Sequence, residues 1–222
     1  MKFAEIEALA AGRKGGADAL EELLKKPATQ SALEATTDDR WLSEMTRVIF
    51  QAGFNWDLID KRWPQFEAAF EGFDVGRWAF MSDDDLDVLL KAPGLVANAQ
   101  KIKSVAGNAA FISDIGKSHG SAGKWFASWP LDRYMELCQE TKARGSRLGG
   151  MTGQRVMRNM GKDALIFSSA VVRALNLFGV VSGEPSSKKD YAAIQAALNV
   201  WHEETGRGLT QMSQILAFST DP

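Results

Sequence analysis

The sequence predicts an all-α fold, and three observations predict it. Apolar residues recur every three to four positions in segment after segment, the spacing of one helix face. Strand signals are sparse, with only two tyrosines among 222 residues and few alternating β-branched runs. Capping patterns precede several of the apolar stripes. About ten helices are expected, in a single domain over residues 1–222 with room for two lobes.

Phe3, Ile6 and Leu9 mark a first helix, and Leu20, Leu23 and Leu24 a second. The stretch 38–56 opens on aspartates suited to an N-cap and carries a stripe at Leu42, Met45, Val48 and Ile49. The stretch 56–73 follows, with a break expected near Pro64. In 82–92, Ser82 stands three residues before Asp85, the spacing of a capping box. Further helices are expected over 93–116, 130–143, 165–179, 191–206 and 209–219. GKSHGSAGK (116–124) reads as a flexible loop. No internal repeat or Pro/Ser-rich linker divides the chain.

Composition narrows the class. The hydrophobic fraction is 45% and the charged fraction 24%, ordinary for a soluble globular protein and unlike disordered or fibrous chains. The length allows a core without metal or disulfide staples. A lone cysteine, Cys138, excludes an intramolecular disulfide and fits a reducing compartment. The longest apolar run, 164–172, is too short to span a bilayer. Glu5 and Glu7 argue against a secretory signal, so the cytoplasm is the expected location.

The formal net charge of −2 gives no global attraction to nucleic acid. Locally, Arg144, Arg147, Arg155, Arg158 and Lys162 occur with no acid between them, around the glycine-rich RLGGMTG (147–153). Such a run suits a phosphate-contacting loop, with Arg155 and Arg158 as contacts. It equally suits a solvated surface loop.

The stretch 86–105 reads as two helices joined by Ala-Pro-Gly. Pro93 cannot continue the first helix, and Gly94 permits the positive φ of a tight turn. A second helix starting around Leu95 would present the amides of Gly94, Leu95 and Val96 as an anion cradle, with Lys101 and Lys103 adding charge. A plain αα-hairpin has the same shape.

LLKAPGLVANAQKIKSVAGNA (89–109), EMTRVIFQAGFNWDLIDKRWPQFEAAFEGFD (44–74) and MSDDDLDVLL (81–90) together resemble the DNA-3-methyladenine glycosylase I family. The likeness covers about residues 37–110 and returns weakly over 155–181. It implies a helix-hairpin-helix DNA glycosylase-like bundle, with the hairpin at about 82–110. It also implies hydrolysis of the N-glycosidic bond of alkylated purines such as 3-methyladenine, the damaged base being flipped from duplex DNA into a pocket. By that likeness Gly94, Leu95 and Val96 hold phosphates, Gly53 and Phe54 wedge into the duplex, and Trp56 and Gln51 line the base pocket. Outside that context Phe54 and Trp56 would read as core residues.

The chain departs from the family pattern in three places. Val48 occupies the pocket glutamate's position, which leaves Glu44, one turn earlier, to supply the carboxylate or to be a solvated helix acid; Asp57 and Asp38 are weaker candidates. The N-terminal Tyr-His-Asp-x-x-Trp-Gly region is missing, and Trp41, three residues before Glu44, is a candidate replacement stacker. Cys138, His119 and His202 match no zinc motif, so no zinc and no cofactor are expected, and 185–222 is expected to take over the metal's packing role. Ser168, with Arg173 beyond it, stands where many helix-hairpin-helix glycosylases carry an aspartate; the methyladenine family also lacks that aspartate, so the absence agrees with the resemblance, and Asp163 is a lesser candidate for water activation. The expected partner is double-stranded DNA carrying alkylated bases, with no membrane, and the expected state is a monomer. The alternative is a non-catalytic DNA-binding module with a degenerate pocket, and beyond it a pure interaction protein.

Overall fold

A computed structural model describes residues 2–220. Fourteen α-helices and no strand occur among them. They are α1 (Phe3–Lys14), α2 (Ala17–Leu23), α3 (Gln30–Glu34), α4 (Asp38–Gln51), α5 (Trp56–Ala69), α6 (Val75–Trp78) and α7 (Asp83–Lys91). Then follow α8 (Ala99–His119), α9 (Ala122–Ser128), α10 (Tyr134–Arg144), α11 (Met151–Asn159), α12 (Ser169–Leu177), α13 (Lys188–Thr205) and α14 (Leu209–Phe218).

The count exceeds ten because four short helices lie where loops were expected. Of these, α11 matters most. The glycines of 147–153 suggested a loop, yet Gly153 serves close packing: a Cβ there would collide with the Leu148 carbonyl oxygen. Val156 and Met157 bury the inner face of the same helix. The 116–124 loop shrinks to Gly120 and Ser121 between α8 and α9.

Helix α4 is the hub, packing against α5, α8, α9 and α11. Its stripe of Leu42, Met45, Val48 and Ile49 is buried as its spacing requires. Its N-cap is Thr37 rather than Asp38. Asp38 instead accepts the Ala122 amide at 2.7 Å, satisfying an orphan donor at the start of α9. Pro64 does not break α5, which runs through it on an exposed turn where water can serve the stranded carbonyl. The Ser82–Asp85 capping box forms as the spacing predicts.

Helices α13 and α14 close the other side, α14 lying on α1 and α12 and α13 on α1 and α10. Arg207 ties this end to Glu7 and Glu21 near the other terminus. Among the described residues, no helix is long and apolar enough to cross a membrane.

Candidate nucleic-acid interface and base site

The end of α4, the loop 52–55, the start of α5 and the outer face of α11 meet on one side of the molecule. Helix α4 stops at Gln51, and the chain turns through Gly53 at φ 75°, a left-handed conformation that suits glycine. The turn thrusts Phe54 outward at 41% exposure and leads to Trp56 at 45%. Asn55 restarts the helix by accepting the Leu58 amide at 3.1 Å. An exposed aromatic pair on a short capped loop is therefore built into the backbone.

The loop is held from below by Lys101. Its ammonium donates to the carbonyls of Phe50 at 3.2 Å and Ala52 at 2.6 Å, and lies 4.7 Å from the centre of the Phe54 ring. Those carbonyls belong to the end of α4, where a cation is favoured. Lys101 is only 5% exposed, and burial, with Arg147 nearby, lowers its pKa. This corrects its expected role: Lys101 clasps the 52–55 loop and is not presented to phosphates.

Glu44, Val48 and Gln51 lie on successive turns of α4. Val48 is buried and offers no polar atom. Glu44 accepts from the Asn159 side chain of α11 at 2.7 Å, with the Arg47 guanidinium 3.9 Å away. Burial raises the Glu44 carboxyl above its ordinary pKa, while the Asn159 amide and Arg47 act against that shift. Asp60, one turn beyond Trp56, accepts from Arg47 at 2.8 Å and Gln51 at 2.7 Å. Arg155, one turn before Asn159 on α11, holds its guanidinium carbon 4.5 Å above the Trp56 ring. Helix α11 thus touches both Glu44, through Asn159, and Trp56, through Arg155, whereas Gln51 is only 6% exposed and is joined to Glu44 through Asp60 and Arg47. Asn159, Asp60 and Arg47 escaped the sequence reading. One-turn spacing from Arg155, Trp56 and Glu44 was the available signal.

Other expected residues lie elsewhere. Trp41 is 0% exposed and stacks on Phe126 at 4.1 Å, so it is a core residue and not a second stacker. Its three-residue spacing from Glu44 fixes direction but not depth. Asp163 accepts the amides of Leu209 at 2.8 Å and Thr210 at 2.7 Å, capping α14; both oxygens are committed and it cannot serve as a water activator. Arg158 turns inward, both its Nε and an Nη donating to the Ala164 carbonyl, and burial lowers its pKa. It is therefore a backbone clasp rather than a phosphate contact.

The 92–98 connection between α7 and α8 keeps part of the expected cradle. Pro93 is exposed and Gly94 adopts φ 85°. A Cβ on Gly94 would lie 2.8 Å from the Gln65 side chain, so glycine also serves close approach to α5. The second helix starts at Ala99, not around Leu95, because Asn98 is its cap, accepting from the Lys101 amide at 3.1 Å. Leu95 is buried, and its amide bonds the Ala92 carbonyl within the turn. The amides of Gly94 and Val96 donate to no group of the described chain.

The metal expectation can be placed residue by residue. His119 lies 2.8 Å from the Ser118 hydroxyl, His202 lies 2.9 Å from the Arg207 carbonyl, and Cys138 belongs to α10. Burial pushes the Cys138 thiol up to about 12. These residues do not converge, and no cluster suited to a metal ion occurs among the described residues.

Comparison with known proteins then adds a family. The sequence profile of the methyladenine glycosylases matches residues 33–168. DNA-3-methyladenine glycosylase 1 of Escherichia coli (strain K12) is 32% identical over 74 residues, 33% of this chain and 40% of that protein. The match therefore spans two-fifths of the curated relative's length. The structure of 3-methyladenine DNA glycosylase I from Staphylococcus aureus superposes with a TM-score of 0.52 at 21% identity, covering 67% of this chain and 86% of that one. The 8-oxoguanine glycosylase/lyase of Methanocaldococcus jannaschii, solved in complex with a 15mer DNA containing 8-oxoguanine, superposes with a TM-score of 0.52 at 13% identity over 96% of each chain. At such identities the two structures establish the shared all-helical fold alone.

Proposed function

The chain belongs to the methyladenine glycosylase family, and on that premise we propose that it hydrolyses the N-glycosidic bond of alkylated purines, 3-methyladenine foremost, in duplex DNA. The observation that carries this reading is the exposed pair on the 52–58 arm: Phe54 on a left-handed glycine turn, followed by a half-exposed Trp56 beside a polar face. Phe54 is an apolar wedge for the gap left by an extruded base. Trp56 is the platform on which that base stacks. The free amides of Gly94 and Val96, on the connection that follows α7, suit a neighbouring phosphate.

The chemistry asks little of the protein. N3-alkylated adenine in DNA is a cation with a weakened glycosidic bond. An indole face attracts it more than it attracts neutral adenine. Water attacks the sugar carbon, takes the place of the departing base and releases one proton to the solvent. The electron pair of the broken bond neutralises the purine. No amine nucleophile takes part, so strand cleavage is not expected. Glu44 is the carboxylate of the site, held by the Asn159 amide at 2.7 Å on the helix whose Arg155 covers Trp56. As an ionised acceptor it favours both the purine's positive charge and its exocyclic donor.

Incubation with methylated duplex and chromatography of the released bases tests the reading. Release of 3-methyladenine is the expected result. No alkylated base released at stoichiometric protein overturns it. A second reading, a DNA-binding module without catalysis, is favoured by one observation, the buried apolar Val48 in the face between Glu44 and Gln51. It predicts salt-dependent duplex binding with no base release.

A further inference from the structure

We propose that Arg155 is a built-in plug of the Trp56 stacking face, which an extruded base must displace; the proposal rests on Trp56 being the base platform. Five cations occupy the stretch 144–162, and four are fastened to the protein by polar partners. Arg144 pairs with Asp114 at 3.0 Å, and Arg147 donates to the Gln100 side chain at 3.2 Å. Arg158 and Lys162 donate to the carbonyls of Ala164 and Trp129. Arg155 differs. Among the described residues it pairs with no carboxylate and donates no hydrogen bond, and its guanidinium lies 4.5 Å from the centre of the half-exposed Trp56 ring. The most loosely held cation of the run is the one that covers the base platform.

A guanidinium is a planar, delocalised cation, and so is an N3-alkylated adenine. Both seek the same indole face, and two like charges cannot share it. A base arriving on Trp56 must lift Arg155 away, and the freed guanidinium is then available to a backbone phosphate. The plug lowers the apparent affinity of every base by the fraction of time the face is open. Undamaged bases bear the same cost and, bringing no positive charge to the ring, have less attraction to set against it. Helix α11 can release Arg155 without loosening its grip on Glu44, because Asn159 makes that contact independently one turn later.

The test uses N-methylquinolinium, a planar aromatic cation of purine size, and free 3-methyladenine. Their binding to the full chain is followed by tryptophan fluorescence as the difference from the Trp56→Ala variant. Arg155→Ala is expected to bind the cation about 2- to 5-fold more tightly than the unaltered protein, as removal of an exposed cation–π contact implies. Arg155→Lys is expected to fall between the two. Arg155→Met, which keeps the stem, replaces the alanine variant if circular dichroism shows the latter unfolded. Unchanged or weaker binding of the cation overturns the plug, including where base release also falls, since Arg155 would then act only as a DNA contact. Failure of the functional reading looks different: the unaltered protein releases no base from methylated DNA, whatever Arg155→Ala does to cation binding.

Discussion

The two ends of the 41–56 stretch have opposite fates. Trp41 sits in the first half of α4, wholly buried and stacked face to face on Phe126. Trp56 starts α5 beyond the glycine turn and is half-exposed, with the Arg155 guanidinium over its ring. One indole holds the bundle together, and the other is available to a ligand. The difference comes from the backbone between them. Helix α4 is sheathed by α8, α9 and α11, whereas Gly53 and Asn55 turn the chain away from the core.

Replacing both tryptophans separately is the strongest test of that comparison. Trp41→Ala is expected to cost about 3–5 kcal/mol of stability in urea unfolding, the range for deleting a large core side chain. Trp41→Phe is expected to cost much less, because it keeps the stack on Phe126 and removes a buried indole N–H that has no hydrogen-bond partner. Trp56→Ala is expected to cost only about 1 kcal/mol, because the half-exposed ring gives up a modest buried area and one cation–π contact. Its kcat/KM for base release should drop by the worth of a stacking face, about 1–3 kcal/mol. A stable Trp41→Ala, or an unstable Trp56→Ala, breaks the division.

Lys101→Met sharpens it at the seam. The substitution strips two carbonyls of their donor and removes the cation from beneath Phe54. A loss of about 1–3 kcal/mol is expected from the unsatisfied buried acceptors. The effect on duplex binding should be lost order in the 52–55 loop, not a shallower salt dependence. A salt slope reduced by about 1 would instead make Lys101 a phosphate contact.

Lys101 also shows what sequence can carry. The capping box, the glycine turns at 53 and 94 and the buried stripe of α4 were legible because each is a local rule: a side chain bonds an amide three residues on, a glycine takes a positive φ, a stripe repeats every turn. Where a cation's charge goes was not legible. Lys101, Arg158 and Lys162 look like a basic surface in sequence, yet each is held by carbonyls 49, 6 and 33 residues away. Helix α11 was hidden for a related reason. Its one glycine, Gly153, marks close packing against Leu148, which is indistinguishable in sequence from loop freedom.

Asp163→Asn addresses the same distinction with a smaller effect. One oxygen remains to cap α14, so about 1 kcal/mol of stability is expected to be lost, within the range for a weakened N-cap. Base release should be unaffected under folding conditions. A fall in kcat without a change in stability would return Asp163 to the chemistry.

Glu44→Gln gives the smallest effect on stability, and its direction depends on pH. Burial raises the Glu44 carboxyl, so the folded chain holds that proton more tightly than the unfolded chain does. The stabilisation this provides is complete below the unfolded-state pKa and fades as pH rises through the folded one. Glutamine keeps an acceptor for Asn159 but has no proton to lose. The stability of Glu44→Gln relative to the unaltered protein should therefore climb from acid to neutral pH and then level off, measured by urea unfolding at a series of pH values. A relative stability that falls over that range would mean that Arg47 and Asn159 outweigh burial. The same variant bears on function: base release undiminished by the loss of charge would remove Glu44 from the site and leave Trp56 as its principal recognition element.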